Sequence, residues 1–265
     1  MHNETTVGKP IQRVVIKVGT HVITNKDNRI TGKILTKLVD QIAHLYEHGI
    51  HAVLVSSGSV IAGKEVMGHR LKATDKITRR QVFSAIGQPR MMRHYYNLFH
   101  HHGMRCAQVL ATKRDFDIGK HRDNMVNCYE GLMAEGVIPI ANEDDAVSLS
   151  MSTFTDNDEL ASLVAELINA DLLILLTDTD GLFNGHPDDA NSELIPHLNV
   201  DEPVEQYIQK TDKGEASGRG GMASKLRVAK HTARQNIPTF IANGKTDDII
   251  TDIVFGKTAG TKVTR

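Results

Sequence analysis

The amino-acid sequence predicts an α/β fold in which helices cover both faces of a mainly parallel sheet. Apolar runs rich in β-branched residues alternate along the chain with segments of helical periodicity, which is typical of such sheets. The run LLILLTD (172–178) is apolar almost throughout, which indicates a strand that is buried on both faces. No internal repeat or low-complexity linker divides the sequence, so we predict one domain over residues 1–265.

The periodicity of apolar residues assigns the individual elements. The predicted strands are IQRVVIKV (11–18), HAVLVSS (51–57), RCAQVLA (105–111), VIPIAN (137–142), LLILLTD (172–178) and IPTFIAN (237–243). One helix is predicted from the N-cap Thr31 to Gly49. A second helical region, QVFSAIGQPRMMRHYYNLFHHH (81–102), is expected to be interrupted or bent at Pro89, and a third helix covers 158–170.

Composition and charge exclude several classes of function. The net charge is -1 and the sequence pI is about 6.9, so the chain lacks the basic surface of a nucleic-acid-binding protein. It has no Trp and only 5% aromatic residues, which disfavours a platform for stacking bases. The sequence has neither a signal-peptide pattern nor an apolar run long enough to span a bilayer. We therefore expect a cytoplasmic protein that binds neither nucleic acid nor membrane.

The cysteines and histidines do not indicate a metal site. Cys106 and Cys128 lack a CxxC partner, which argues against a zinc ribbon or a thioredoxin-like site, and we expect two buried, reduced thiols. The histidine run 100–102 precedes Gly103 at the end of a predicted helix. Imidazoles suit that end of the helix dipole, and adjacent residues do not share one helix face. Solvated histidines at a helix end are therefore favoured over metal ligands.

Polar, small and charged segments follow four of the predicted strands. In open parallel sheets, ligands bind beyond the carboxyl ends of the strands, so these segments are the candidates for a binding site. The segments are KVGT (17–20), SSGS (56–59), NEDD (142–145), TDND (155–158) and TDTDG (177–181).

The first two segments are suited to holding an anion. Gly19 and Gly58 allow backbone N–H groups to approach a ligand closely, and Lys17 adds a full positive charge. Ser57 and Gly58 are expected at the start of a helix, where free N–H groups bind phosphate. Taken alone, KVGT is equally compatible with a simple turn that carries a solvated Lys17. Taken alone, SSGS is better explained as an N-cap with a turn glycine.

Carboxylates and amides cluster in the next two segments. Asp158 falls in the first turn of a predicted helix, where its carboxylate could hold two lysine ammonium groups by charge-assisted hydrogen bonds. Asn157 and Asp145 could bind the charged amine of a small amino-acid-like substrate. A solvated acidic loop with Asp156 as a helix N-cap is the alternative.

Phosphoryl transfer would use both the anion-binding segments and the carboxylate and amide segments. The reaction needs in-line positioning and positive charge over the migrating phosphoryl group. The stretch SGRGGMASKL (217–226) adds Lys225 at the start of a helix, where the helix dipole already supplies positive charge. It is not a P-loop, because that pattern needs Gly directly before the lysine and Ser or Thr directly after it. Taken alone, the stretch is equally compatible with a flexible surface loop and with a phosphate site. Together with Lys17 and Asp158, we interpret it as a glycine flap that closes over ATP, whose phosphates explain the lysine.

These motifs together resemble the glutamate 5-kinases of the amino acid kinase superfamily. The matching segments are VVIKVGTHVIT (14–24), VLVSSGSVIAGKEVMG (53–68), AIGQPRMM (85–92), GLMAEGVIPIANEDDAV (131–147), FTDNDELAS (154–162), LLILLTDTDGLF (172–183) and GRGGMASKL (218–226). They run in order over almost the whole chain, and their combination is highly specific. The AIGQ segment and the DND triplet favour glutamate 5-kinases over the acetylglutamate, carbamate, aspartate and uridylate kinases of the same fold.

The resemblance implies roles for individual residues. Lys17 and Lys225 would be the transition-state lysines, and Asp158 would organise them. The residues implied around glutamate are Ser57, Gly58, Asn142, Asp145, Asp156 and Asn157. The residues implied at ATP are Lys17, Gly19, Thr20, Thr177, Asp178, Arg219, Gly220, Gly221, Met222, Ala223, Ser224 and Lys225. A protein metal site is not implied, because Mg²⁺ would be held mainly through the nucleotide phosphates.

The resemblance also implies a fold, a reaction and partners. The fold is a three-layer αβα sandwich, with a glutamate-binding part at about 1–170 and an ATP-binding part at about 171–265. The reaction is transfer of the γ-phosphoryl group of ATP to the side-chain carboxylate of L-glutamate, the first step of proline biosynthesis. The expected partners are a second copy of the chain in a homo-oligomer, proline as a feedback inhibitor, and a glutamyl-phosphate reductase that receives the product.

The sequence departs from the pattern of the resembled family at a few places. Asp144 replaces an amide and adds negative charge near the expected substrate, and Arg219 stands where a small polar residue is common. The segment GLFNGHPDDAN (181–191) lacks an arginine, which we expect to alter nucleotide or loop contacts. Because the sequence stops at Arg265, we expect no C-terminal PUA domain. A sister kinase acting on another small acid and an inactive sensor of the same fold remain the alternatives.

Overall fold

The computed structural model describes residues 10–68, 71–72, 75–147, 154, 156–203 and 221–265, which form one sheet with helices on both faces. The strands are β1 (Arg13–Val18), β2 (His51–Ser56), β3 (Arg105–Ala111), β4 (Val137–Glu143), β5 (Leu172–Thr177), β6 (His197–Asn199), β7 (Thr239–Asn243) and β8 (Thr261–Thr264). The helices are α1 (Thr20–Ile23), α2 (Gly32–Glu47), α3 (Ser59–Met67), α4 (Lys76–His101), α5 (Lys120–Ala134), α6 (Asn157–Leu167), α7 (Met222–Arg234) and α8 (Ile249–Val254).

The sheet is mainly parallel, as predicted. Its strand order is β3-β4-β2-β1-β5-β7-β8-β6, and the only antiparallel pair among these neighbours is β7 with β8. All six residues of β5 are buried, which explains its continuous apolar run.

Two hydrophobic cores lie on opposite faces of the sheet, because alternate side chains of a strand point to opposite sides. Val15 and Leu173 belong to the core that is covered by α5, α6 and α7. Ile16 and Ile174, one position further along each strand, belong to the core that is covered by α2, α4 and α8. The molecule is therefore a three-layer αβα sandwich, as the resemblance implied.

The register of the central strands determines where the loops meet. Val18 at the end of β1 lies beside Ser56 of β2 and Leu176 of β5. Because these parallel strands end level, the segments that follow them lie at the same edge of the sheet.

All six predicted strands are present, with bounds within two residues of the prediction. The predicted interruption at Pro89 is wrong, since α4 runs through this residue without a break. A proline removes one helical hydrogen bond, but the helix buries Met91, Tyr95 and Phe99 in one core, and this packing outweighs the loss.

The expectation of two buried thiols is also wrong. Cys128 is exposed on α5, and Cys106 is only half-buried because β3 is an edge strand. Burial nevertheless raises the pKa of the Cys106 thiol to about 11, so it is protonated at neutral pH.

The histidines lie where they were predicted, with His100 and His101 in the last turn of α4 and His102 as its C-cap. Within the described residues, no helix is both long enough and apolar enough to cross a membrane.

Candidate active site

A cavity of about 870 Å³ lies at the carboxyl ends of the central strands. Most of the residues that the sequence nominated line it, from both the early and the late parts of the chain. These lining residues are Lys17, Gly19, Thr20, Ser57, Gly58, Asn142, Asp145, Asp156, Asn157, Thr177, Asp178, Gly221, Met222 and Lys225.

Asp158 lies between two lysines at this cavity. Its Oδ1 is 2.5 Å from Lys17 Nζ, and its Oδ2 is 3.1 Å from Lys225 Nζ. Asp158 is fully buried near the start of α6, Lys17 is near the end of β1, and Lys225 is in the first turn of α7. This double contact is the one that the sequence analysis expected of Asp158.

Burial and the neighbouring charges shift the pKa values of Lys17 and Asp158. Burial lowers the pKa of Lys17, the positive charge of Lys225 acts in the same direction, and the carboxylate of Asp158 opposes both. Burial alone would raise the pKa of Asp158, but the two ammonium groups outweigh it and the pKa lies below its ordinary value. Asp158 is therefore ionised at neutral pH. When both lysines are protonated, the three groups Lys17, Asp158 and Lys225 together carry one net positive charge, which favours a bound anion.

The start of α3 offers a second anion-binding feature. Gly58 is its N-cap and has a φ of 105°, in the left-handed region that favours glycine. A Cβ atom here would lie 2.7 Å from Ile23 Cδ1, so a side chain is disfavoured by space as well as by conformation. Ser59, Val60 and Ile61 line the cavity, which places the free N–H groups of the first turn at its wall.

A network of two amides and a hydroxyl lies beside the lysines. Asn157 Nδ2 donates to Asn142 Oδ1 at 2.8 Å and to Ser57 Oγ at 3.0 Å. Asn142 Oδ1 also accepts the backbone N–H of Glu143 at 2.9 Å, which fixes the orientation of both amides. Among the described residues, Asn157 Oδ1 and Asn142 Nδ2 then have no partner. One acceptor and one donor are thus left for a ligand.

Asp145 is held by two residues of α4. Arg80 Nε and Nη2 lie 2.8 and 2.7 Å from Asp145 Oδ1, and Ser84 Oγ donates to Oδ2 at 2.7 Å. Ser84 Oγ is also 3.0 Å from Ser59 Oγ, which connects α4 to the start of α3. Arg80 and Ser84 were not among the residues predicted from the sequence. Their spacing of four indicates one helix face, but nothing local links them to a carboxylate more than 60 positions later.

Asp156 is the N-cap of α6, which is the alternative that the sequence left open. Its Oδ1 accepts the backbone N–H groups of Asp158 at 2.9 Å and Glu159 at 3.1 Å. Its Oδ2 accepts Ser224 Oγ at 2.5 Å and so ties α6 to the first turn of α7. The cap thereby orients the helix turn that carries Asp158.

The other nominated residues fall outside the cavity lining or outside the described chain. Ala223 and Ser224 lie in the first turn of α7 without lining the cavity. Arg219 and Gly220, with the rest of the glycine flap up to residue 220, lie outside the described residues. Asp144 does not line the cavity either; its carboxylate accepts the N–H of Ala146 at 3.2 Å. The expected effect of its charge on the substrate therefore has no contact to support it.

The divergent segment 181–191 contributes five side chains to the cavity that the sequence did not nominate, namely Leu182, Phe183, His186, Pro187 and Asp188. Their place in the cavity lining is consistent with the expectation that the divergent sequence of 181–191 alters contacts to the nucleotide or between loops.

Comparison with known proteins assigns the family. A glutamate 5-kinase from Bacteroides thetaiotaomicron is 40% identical over 91% of this chain and 66% of its own length. A glutamate 5-kinase from Chlorobaculum tepidum is 40% identical over 95% of this chain and 68% of its own length. The profile described as "Amino acid kinase family" matches residues 12–243. The chain belongs to the amino acid kinase family, among its glutamate 5-kinases. It spans about two thirds of the length of these curated relatives.

Solved structures of other amino acid kinase folds resemble the chain as a whole. A UMP kinase from Bacillus anthracis superposes with a TM-score of 0.65 at 17% identity, covering 97% of each chain. An isopentenyl phosphate kinase from T. acidophilum superposes with a TM-score of 0.68 at 15% identity, covering 95% of this chain and all of the other. At these identities the likeness concerns the fold alone.

Proposed function

We propose that the chain transfers the γ-phosphoryl group of ATP to the side-chain carboxylate of L-glutamate. The product is L-glutamyl 5-phosphate, and the reaction is the first step of proline biosynthesis. The observation that carries the proposal is the buried centre in which Asp158 holds Lys17 and Lys225 at one cavity. The relatives named glutamate 5-kinase support the choice of acceptor.

The two lysines supply positive charge where the phosphoryl group migrates. A phosphoryl transfer asks for little covalent work from the protein, and most of the rate comes from positioning and electrostatic stabilisation. Asp158 keeps the ammonium groups of Lys17 and Lys225 at fixed positions, so that they need not reorganise when charge develops.

The substrate side of the cavity would hold L-glutamate by groups of opposite character. The ammonium group needs acceptors, and Asp145 and Asn157 Oδ1 provide them. The acceptor carboxylate needs donors near the lysines, and the N–H groups that follow Gly58 can supply them. The proposed glutamate site is completed by Ser57, Asn142 and Asp156, which line the same cavity.

The nucleotide side would use the later part of the chain. Gly19, Thr20, Thr177, Asp178 and the segment 219–225 are proposed to contact ATP. The proposed division is a glutamate-binding part at about 1–170 and an ATP-binding part at about 171–265.

Mg²⁺ is proposed to enter with the nucleotide, held mainly through phosphate oxygens, where it neutralises charge on the transferring group. Within the described residues, no group of three or more His, Cys, Asp or Glu side chains is placed to hold a metal. The proposal assigns the metal no dedicated protein cage, because Mg²⁺ usually keeps several waters and binds through one or two carboxylates and substrate phosphates.

Four further parts of the proposal rest on the sequence and on the resemblance that it shows. The chain is proposed to work as a homo-oligomer in the cytoplasm, to be inhibited by proline, and to supply a glutamyl-phosphate reductase. An acyl phosphate is short-lived in water, which gives a physical reason for rapid use of the product.

The test is the choice of acceptor, measured as ADP release with saturating Mg²⁺ and ATP. We expect turnover with L-glutamate and much weaker turnover with L-aspartate, carbamate or N-acetyl-L-glutamate. Hydroxylamine should convert the product to a hydroxamate, because the product is an acyl phosphate. Turnover with another acid but not with L-glutamate would identify a sister kinase instead. Binding of ATP and L-glutamate without turnover would identify an inactive sensor.

A further inference from the structure

One charged group of the proposed substrate has no partner among the residues assigned so far. L-glutamate carries an ammonium group, an acceptor carboxylate and an α-carboxylate, so this inference rests on the proposed function. The ammonium group and the α-carboxylate are bonded to the same carbon atom. If Asp145 takes the ammonium group, the α-carboxylate must lie close to Asp145 as well, and two carboxylates repel each other unless a cation is beside them.

Four lysine and arginine side chains line the cavity, and among the described contacts one of them is paired with Asp145. Lys17 and Lys225 are bound to Asp158 at the phosphoryl end. Lys64 Nζ lies 5.9 Å from the centre of the Phe83 ring and forms no ion pair with a described carboxylate. The remaining cation is Arg80, which touches Asp145 directly.

The geometry points to Arg80 as the group that binds the α-carboxylate of the substrate. Its Nε and Nη2 contact Asp145, and Nη2 is also 3.4 Å from Glu143 Oε2. Its other terminal nitrogen, Nη1, has no partner among the residues that the structure describes. A guanidinium group is a planar fork that can donate to two carboxylates at once, so Arg80 can bind the ligand without releasing Asp145.

The exposure of Asp145 and Arg80 is consistent with these separate roles in binding the ammonium group and the α-carboxylate. Asp145 is 7% exposed and is fixed from its other side by Ser84, so its position does not depend on the ligand. The Arg80 side chain is 41% exposed, so a ligand in the cavity can reach it. The ion pair thus presents a negative and a positive group side by side, which is the arrangement that binds the two charged groups of an α-amino acid.

The inference is tested with L-glutamate and L-isoglutamine. L-isoglutamine keeps the ammonium group and the side-chain carboxylate but carries a neutral amide in place of the α-carboxylate. The measurements are the KM for L-glutamate and the inhibition constant of L-isoglutamine against L-glutamate, for the wild type, Arg80→Gln and Arg80→Lys. Arg79→Gln is the matched control, because Arg79 is the adjacent residue of α4, lies over the Phe83 ring and does not line the cavity.

We expect Arg80→Gln to raise the KM for L-glutamate roughly 10- to 100-fold, the effect of losing a charge-assisted hydrogen-bond pair. The inhibition constant of L-isoglutamine should change by less than about 3-fold, within the effect of a neutral contact. Arg80→Lys should fall between Arg80→Gln and the wild type, because it keeps the charge without the fork. Arg79→Gln should leave both constants unchanged.

An equal loss for both compounds would overturn the inference, because Arg80 would then act only by holding Asp145. An unchanged KM for L-glutamate would overturn it as well. If Arg80→Gln does not fold, as judged by its thermal unfolding and binding of an ATP analogue, the same comparison is made with Arg80→Lys. Failure of the proposed function would appear differently, as a wild-type enzyme that makes no acyl phosphate from L-glutamate.

Discussion

At the scale of single residues, the candidate site depends on one buried carboxylate. Asp158 is fully buried, and each of its oxygens faces a different lysine ammonium group. A buried charge is tolerated only when it is paired, so Asp158 stabilises both lysines, and either lysine can pair with Asp158. The same arrangement concentrates positive charge at one point of the cavity, so the stability of the site and its proposed chemistry have a common origin.

Asp158→Asn should destabilise the protein because it leaves two buried ammonium groups without a counter-charge. We expect the free energy of unfolding at pH 7, measured by urea titration, to fall by about 3–5 kcal/mol. The pKa of Asp158 is lowered from 3.8 by folding, so its contribution is present above about pH 4 and is lost as the pH falls through the folded pKa.

The difference between wild type and Asp158→Asn should therefore be constant from pH 7 to about 5 and shrink below about pH 4. Asp171→Asn is a suitable comparison, since this carboxylate accepts the backbone N–H groups of Gln12 and Arg13 at the opposite edge of the sheet. A difference for Asp158→Asn that does not vary with pH would show that its ionised form is not what stabilises the fold.

The sequence could indicate Lys17, Asp158 and Lys225 because each stands at a strand end or in a first helical turn with an identifiable chemistry. It could not indicate Arg80, since an exposed-looking arginine on a helix is usually solvated. Only the folded chain brings α4 against the loop after β4. Asp156 shows a second limit of prediction from sequence. An aspartate at the start of a helix is suited both to an N-cap and to a ligand contact, so the sequence alone left both roles open.

At the scale of the elements, α3 and α4 hold the substrate side of the site together. A Cβ atom on Gly63 of α3 would lie 1.9 Å from the carbonyl oxygen of Phe83. A Cβ atom on Gly87 of α4 would lie 1.7 Å from the carbonyl oxygen of Ser59. The two helices therefore approach each other backbone to backbone, and this contact positions the first turn of α3 relative to α4. This close packing explains why Gly87, in the AIGQ segment, is a glycine.

Gly87→Ala should push α4 away from the start of α3. Because the clash is with backbone atoms, we expect a loss of at least about 1–3 kcal/mol in the free energy of unfolding. The KM for L-glutamate should rise at the same time, since Arg80 and Ser84 move with α4. Gly131→Ala is the matched control: Gly131 lies in α5 and has no atom within 4 Å of the position of an added Cβ.

We expect Gly131→Ala to be neutral or to stabilise the protein by up to about 1 kcal/mol, because alanine is the better helix former. If both glycine variants behaved alike in thermal unfolding and in the KM for L-glutamate, the close contact of α3 with α4 would have no special importance.

The strands with long apolar runs were predictable from sequence, and two others were not. β6 and β8 have three and four residues, too few for a period of two to stand out from chance. The continuity of α4 through Pro89 was not predictable either, because the burial of Tyr95 and Phe99 that stabilises the helix beyond the proline is a tertiary property.

At the scale of the whole molecule, one sheet edge combines residues from distant parts of the chain. The level ends of β1, β2 and β5 place the anion-binding loops next to the carboxylate and amide loops, and α7 adds Lys225 from near the end of the chain. The fold therefore creates one cavity with the two lysines at one end and the proposed amino-acid site at the other, and the proposal requires a ligand at each end at the same time.

Simultaneous binding can be measured by thermal unfolding with L-glutamate, with a non-hydrolysable ATP analogue and Mg²⁺, and with both. Each ligand at 100 times its Kd should add about 2.7 kcal/mol to the free energy of unfolding, and both together should add about the sum of the two effects. D-glutamate is the control for the amino-acid end. A stabilisation by both ligands that equals the larger single effect would mean that they compete for one site.

The central claim is that the Lys17–Asp158–Lys225 centre transfers a phosphoryl group to L-glutamate. Lys225→Ala removes one of the two ammonium groups while Lys17 still pairs with Asp158, so the protein should remain folded. Hydroxamate formation from L-glutamate, ATP and hydroxylamine measures kcat and KM for wild type and variant. We expect kcat to fall by about 10²–10³-fold with little change in the KM for L-glutamate, because the lost charge is needed most in the transition state. A folded Lys225→Ala protein with near-normal kcat would contradict the account.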